Sequence, residues 1–112
     1  AYLYWFSHIP PEKGLEKFGA YHGAEVMYAF DNLGADGDAD YTDTDYRLRD
    51  QMSGYWINFL HTGDPNGPGL PAWPAFEHAE DEVMVFDRGS AMMPHPRRDE
   101  IDFWMNYDGP IP

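Results

Sequence analysis

Apolar side chains are unevenly spread along the chain, and their spacing changes from one stretch to the next. Residues 2–6 (YLYWF) are apolar at every position, the pattern of a strand covered on both faces within a mostly parallel sheet. A loop follows, punctuated by Pro10, Pro11 and Gly14, and it runs on to His22, with Gly19 and Gly23 flanking its end. Residues 24–30 (AEVMYAF) suit a short helix with Ala24, Met27 and Tyr28 on one face. Residues 31–45 are acidic and turn-rich, carrying Asp31, Asp36, Asp38, Asp40, Asp43 and Asp45 without a base. A helix starts there. Thr42 is a residue that can cap free backbone N–H groups, and Asp43 and Asp45 suit the positive end of the helix dipole. From 43 to about 61, Leu48, Met52, Tyr55, Trp56, Phe59 and Leu60 recur at steps of three and four, which predicts one apolar face. Gly63 stops this helix, and the turn sequence DPNGPG follows. Trp73-Pro74-Ala75-Phe76 reads as an aromatic anchor in a loop. Residues 83–86 (VMVF) predict a second short strand, ended by Asp87-Arg88-Gly89. Residues 99–107 predict a last helix with Ile101, Trp104, Met105 and Tyr107 as its buried side.

Two strands at opposite ends of a chain do not make a stable sheet alone. The first strand asks for neighbours on both edges, and the rest of the sheet is therefore expected outside this sequence, upstream of it. At 112 residues the chain has room for one domain at most. Its Trp, Tyr and Phe, 17% of the residues, are hard to bury in a body that hides only about two-thirds of its unfolded surface. The same richness excludes a disordered acidic tail. With 7 basic and 20 acidic residues the net charge is −13, which argues against binding nucleic acid or an anionic membrane. There is no apolar run of the ~18 residues that a membrane span needs. No cysteine is present, which excludes disulfides, thiolate metal sites and a cysteine nucleophile, and leaves the compartment open. The opening AYLYWFSHIP lacks the basic start and cleavage site of a signal peptide.

Of the five histidines (His8, His22, His61, His78 and His95), none pair at i, i+4, so no zinc site is expected and the ordinary reading of each is structural or surface. The aspartates of residues 36–45 lack the acid, glycine and terminal glutamate pattern of a calcium loop and read as a solvated acidic segment; the alternative is a run that biases a nearby site toward cationic substrates. His22 stands apart by its setting, GAYHGAE. Small residues on both sides allow a tight bend and close approach of a ligand, in a loop past a strand end.

The segment GAYHGAEVMYAFDNL resembles the catalytic-histidine region of the type B carboxylesterases, the family that includes the cholinesterases. YWINFLHTGDPNGPGLPAWPAF resembles the family's next signature, a Tyr-Trp-x-x-Phe helix, then Thr-Gly-Asp-Pro-Asn, then Trp-Pro-x-Phe. VMVFD and the Trp-bearing helix at the end fit as well. The likeness runs in order over nearly the whole chain. It implies an α/β class, with residues 1–112 forming the C-terminal part of a single α/β-hydrolase domain whose mostly parallel sheet carries helices on both faces. It implies hydrolysis of carboxylic esters through a serine acyl-enzyme, with no cofactor and no metal. It places the catalytic histidine at His22, general base and then general acid. It assigns Glu25 and Gly23 to fixing the catalytic loop, and Tyr21 and Phe30 to an acyl or alcohol pocket. Structural readings compete for these residues: a surface Glu25 on a short helix, and aromatic rings that belong to a core.

The chain departs from a complete enzyme. Its serines are Ser7, Ser53 and Ser90, and none lies in a G-x-S-x-G elbow. Glu12 and Glu16 precede His22 too closely to serve as the family's triad acid. The expected partner is therefore the N-terminal portion of the same enzyme, supplying Ser and Glu or Asp, and the segment by itself is expected to be inactive. The resemblance further implies a small-molecule ester substrate, dimerisation through the C-terminal helix near Trp104, and a secreted or periplasmic setting. Two other readings compete: a non-catalytic, cholinesterase-like interaction module, and a free-standing acidic binding protein.

Overall fold

The computed structural model describes residues 1–35 and 39–110. Three strands, β1 (Tyr4–Phe6), β2 (Glu82–Phe86) and β3 (Ser90–Pro94), form one sheet in the order β1-β2-β3. β1 and β2 pair in parallel, with Tyr4 opposite Met84 and Phe6 opposite Phe86. Parallel neighbours need a long crossover, and the intervening helices supply it. β3 runs antiparallel to β2, with Phe86 opposite Ser90 and Glu82 opposite Pro94. The three-stranded sheet of this segment is therefore mixed, with one more strand than the two that the apolar pattern predicts. The extra strand has a physical cause. Most of β3 is exposed, so no alternation of apolar residues marks it, and the segment 87–89 that ends β2 is a hairpin turn closed by Asp87 N–H to Gly89 O at 3.0 Å. β1 is shorter than residues 2–6, Tyr4 is exposed, and one edge of β1 carries no strand among the described residues.

The helices are α1 (Val26–Ala29), α2 (Asp43–Thr62) and α3 (Arg98–Met105), with a 3-10 turn at Glu16–Phe18 inside the long loop. α2 has the limits its sequence predicts. Its third residue, Asp45, reaches back to accept the backbone N–H of Thr42 at 2.8 Å. Its end is Gly63 at φ 76°, whose N–H bonds Phe59 O at 2.8 Å. Leu48, Met52 and Tyr55 point into the core with Tyr28 of α1, Met84 and Phe86 of β2, and Trp73. Phe59 and Leu60 fall on the same helical stripe yet are exposed, Leu60 to 81%, because the described residues do not cover the last turn of α2.

Trp73 is the keystone of the aromatic core. Its ring lies 5.2 Å from that of Tyr55 and 5.6 Å from that of Phe86, edge to face. Its indole N–H donates to Leu3 O at 3.2 Å, which ties the loop to β1. Asn66 holds its backbone on both sides, accepting the Trp73 N–H at 2.6 Å and donating to Trp73 O at 2.8 Å. The DPN turn and the Trp-Pro-x-Phe loop are thus one stapled unit.

α3 buries none of its residues, contrary to the apolar side its spacing predicts. Phe103, Trp104 and Tyr107 pack on one another instead, with ring centroids 5.2 to 5.7 Å apart. The radius of gyration is 15.9 Å, against about 13 Å for a compact domain of roughly this length. No helix among the described residues is long and apolar enough to cross a membrane. Asp36 and Asp38, part of the acidic run weighed as a calcium loop, lie outside the described residues. Among the described residues no group of three or more His, Cys, Asp or Glu is placed to hold a metal ion.

Candidate active site

His22 sits on a tight turn that closes through Ala24 N–H to Tyr21 O at 3.1 Å. Gly23 takes the third position at φ 86°, a backbone state that side chains with a Cβ resist. A second turn follows at once, Val26 N–H to Gly23 O at 3.1 Å, and leads into α1. The imidazole projects to the surface, and no described side chain hydrogen-bonds it. α1 places this turn beyond the carboxyl ends of the parallel strands. The Tyr28 ring lies 5.5 Å from Phe6, the last residue of β1, and 5.5 Å from His8 just past it. Ser7 N–H bonds Phe86 O, the end of β2, at 2.9 Å. Carboxyl ends of parallel strands are where open α/β sheets expose reactive groups.

Beneath the turn lies a buried polar network that sequence reasoning missed. Asp45 Oδ1 accepts His8 Nε2–H at 2.7 Å and the Tyr28 hydroxyl at 2.8 Å. Asp45 Oδ2 accepts the Thr42 N–H at 2.8 Å and the Thr42 hydroxyl at 2.7 Å. Burial alone opposes ionisation of this carboxyl, but the bonds from Thr42, His8 and Tyr28 outweigh it and hold its pKa below the ordinary 3.8. Burial, then the bond to Asp45, raises the Tyr28 hydroxyl far above the usual tyrosine range. The sequence showed Asp45 only as a helix-start acid and His8 only as a lone histidine. The Thr42-to-Asp45 spacing was the one visible signal; the other partners are distant in the chain.

A second carboxylate holds the residue that precedes His22. Glu12 accepts the Tyr21 hydroxyl and, at 3.3 Å, the Tyr41 hydroxyl. Burial, then the Glu12 bond, pushes the Tyr21 hydroxyl up to about 12. Glu25 is half-buried at the start of α1, where its backbone oxygen accepts the N–H groups of Tyr28 and Ala29. Its side chain takes no hydrogen bond from the described residues, and its charge adds to burial in raising the Tyr4 hydroxyl. Phe30 is 74% exposed at the end of α1. An apolar groove of about 430 Å³ opens elsewhere, between Tyr2, Tyr4, Trp56, Phe59 and Trp73, and His22 does not line it.

The sequence profile of the carboxylesterase family matches residues 1–104. The chain belongs to the carboxylesterase family. It is 33% identical to carboxylesterase 5A of Felis catus over 94% of its own length and 20% of that protein. It is 31% identical to cocaine esterase of Homo sapiens, over 92% of the chain and 19% of that protein. The crystal structure of a carboxylesterase from Geobacillus stearothermophilus superposes with a TM-score of 0.73 at 31% identity, covering 92% of this chain and 21% of that one. The α/β class expected from the sequence agrees with this likeness. The chain spans about one-fifth of the length of these carboxylesterases.

Proposed function

We propose that this chain supplies the histidine of a serine carboxylic ester hydrolase, with His22 as general base and then general acid. Family membership supports the reaction class, and the exposed imidazole, without a side-chain partner among the described residues, on a glycine-bearing turn beyond the strand ends carries the assignment. In the first step His22 takes the proton of a serine hydroxyl as its oxygen attacks the ester carbonyl. It then returns that proton to the departing alcohol, leaving an acyl-serine. In the second step it takes a proton from water, which attacks the acyl carbon, and returns the proton to serine as the acid leaves. The serine and the acid that orients the imidazole come from polypeptide outside these 112 residues.

Several observations support a segment that completes its domain with further chain. Among the described residues β1 has an unpaired edge and α3 buries nothing, and the radius of gyration is large. We read residues 1–112 as part of one α/β-hydrolase domain. The exposed aromatic face of α3 is offered to the rest of that domain or to a second copy. Gly23 permits the catalytic turn, and Glu25 starts the helix that follows it. Phe30 and the ring of Tyr21 form walls of a pocket for a small ester that the remaining chain completes. The test is ester hydrolysis by the complete polypeptide carrying this segment, with and without His22→Ala. A roughly ten-thousand-fold fall in kcat is expected for a general base of this kind. A wild-type polypeptide that folds but neither hydrolyses simple esters nor reacts with a fluorophosphonate would replace this reading with a non-catalytic interaction module.

A further inference from the structure

We propose that Glu12 and Asp45 are positioning residues that tie down the chain before and after His22, acting through the hydroxyls of Tyr21 and Tyr28. The inference rests on the reading of His22 as general base. The imidazole has no side-chain bond of its own among the described residues, so what these residues contribute to its placement comes through the backbone on either side. On one side the adjacent residue, Tyr21, donates its hydroxyl to Glu12. Glu12 is anchored in turn by its backbone bridge to Ala39. On the other side Tyr28 of α1 donates to Asp45 at the start of α2. Between the two tyrosines run the consecutive turns at Tyr21–Ala24 and Gly23–Val26, which leave little slack. His22 therefore rides on a short arch pinned at one end to Glu12 of the preceding loop and at the other to Asp45 at the start of α2.

The chemistry of the two pins fits this role. Both oxygens of Glu12 and both oxygens of Asp45 already accept hydrogen bonds. Asp45 accepts two bonds on each oxygen and Glu12 one on each, and neither carboxylate hydrogen-bonds the His22 imidazole in this structure. A phenylalanine ring would fill nearly the same volume as either tyrosine, so what the hydroxyl adds is the bond. Both phenols keep their protons, and remain donors, throughout the neutral range. Proton transfer depends on heavy-atom placement within a few tenths of an ångström, and a 1 Å misplacement from a remote change can lower the rate about 100-fold.

The experiment introduces Tyr21→Phe and Tyr28→Phe, singly and together, into the complete polypeptide, and into a His22→Ala background. It reads kcat and KM on a p-nitrophenyl ester, the fraction of sites titrated by a fluorophosphonate, the rate of that labelling, and Tm. Each single change is expected to lower kcat per titrated site about three- to tenfold, and the pair about 10- to 100-fold, with KM within about twofold. Labelling of the serine should slow in parallel, because it needs the same base. In the His22→Ala background the tyrosine changes should have no further effect. Unchanged kcat per titrated site, with fewer sites or a lower Tm, would reduce the tyrosines to a structural role and overturn the proposal. Equal losses with and without His22 would overturn it too. A wild type that is itself unreactive would overturn both readings together, whereas an active wild type indifferent to the two changes overturns the positioning alone.

Discussion

Replacing Asp45 by alanine should damage the protein more than any other single change near the site. The carboxylate accepts four hydrogen bonds, and His8 and Tyr28 donate two of them from buried positions. Each buried donor left unpaired costs about 1–3 kcal/mol, so the pair gives about 2–6 kcal/mol. Losing the bonds from Thr42 adds about 1 kcal/mol at the start of α2. One relief is available. The imidazole of His8 can shift its proton to Nδ1, which lies 3.9 Å from Asp87, and Nε2 then becomes an acceptor for Tyr28. That places the expected loss in the lower half of the range, at about 3–4 kcal/mol. Asp45→Asn keeps one acceptor oxygen but turns an NH2 toward the other donors, and should cost about 1–3 kcal/mol. Urea unfolding of the complete polypeptide measures both, read as a shift of midpoint at constant slope. A double-mutant cycle with Tyr28→Phe should show coupling of about 1 kcal/mol. An alanine variant within about 0.5 kcal/mol of wild type, or strict additivity with Tyr28→Phe, would refute the reasoning.

Stability should also depend on pH at both ends of the scale. Asp45 is depressed in the folded chain, so its contribution is complete above the ordinary 3.8 and is lost as pH falls from there through the lower folded value. Asp45→Asn should flatten that acid limb in a series of urea midpoints. Tyr21 is raised, so its contribution is complete below 10 and fades as pH rises through about 12; Tyr21→Phe should remove this alkaline loss. Gly23→Ala meets no atom within 4 Å, so its effect is backbone strain alone at φ 86°. About 1–2 kcal/mol of stability should be lost, with a fall in kcat as the His22 turn shifts, and an unchanged melting curve would contradict the turn geometry. Trp73→Ala empties the aromatic core and should cost about 3–5 kcal/mol by denaturant titration. The 112-residue segment expressed alone should bind 8-anilinonaphthalene-1-sulfonate strongly, and a sharp cooperative melt without dye binding would count against the incomplete-domain reading.

Local chemistry determined what could be read directly from the chain. The limits of α2 follow from Thr42, Asp45 and Gly63, and its buried stripe from the spacing of Leu48, Met52 and Tyr55, because helix ends and helix faces are set by residues within one or two turns. The cores of β1 and β2, the anchoring role of Trp73 and the setting of His22 were legible for the same reason. Three things were decided only by tertiary structure. β3 forms because β2 offers it a backbone edge, and hydrogen bonds between main chains leave no mark on side-chain pattern. The apolar residues of α3 and the last turn of α2 stay exposed, because periodicity names the face a helix offers and not whether anything arrives to cover it. Asp45 gathers His8, Tyr28 and Thr42 around one carboxylate, and Glu12 gathers Tyr21 and Tyr41 around another. Each of these is an unremarkable polar residue in the linear chain. Only folding removes the water from around them and makes each hydrogen bond matter, since the energy of leaving a polar group unpaired depends on burial, and burial is a property of the whole fold.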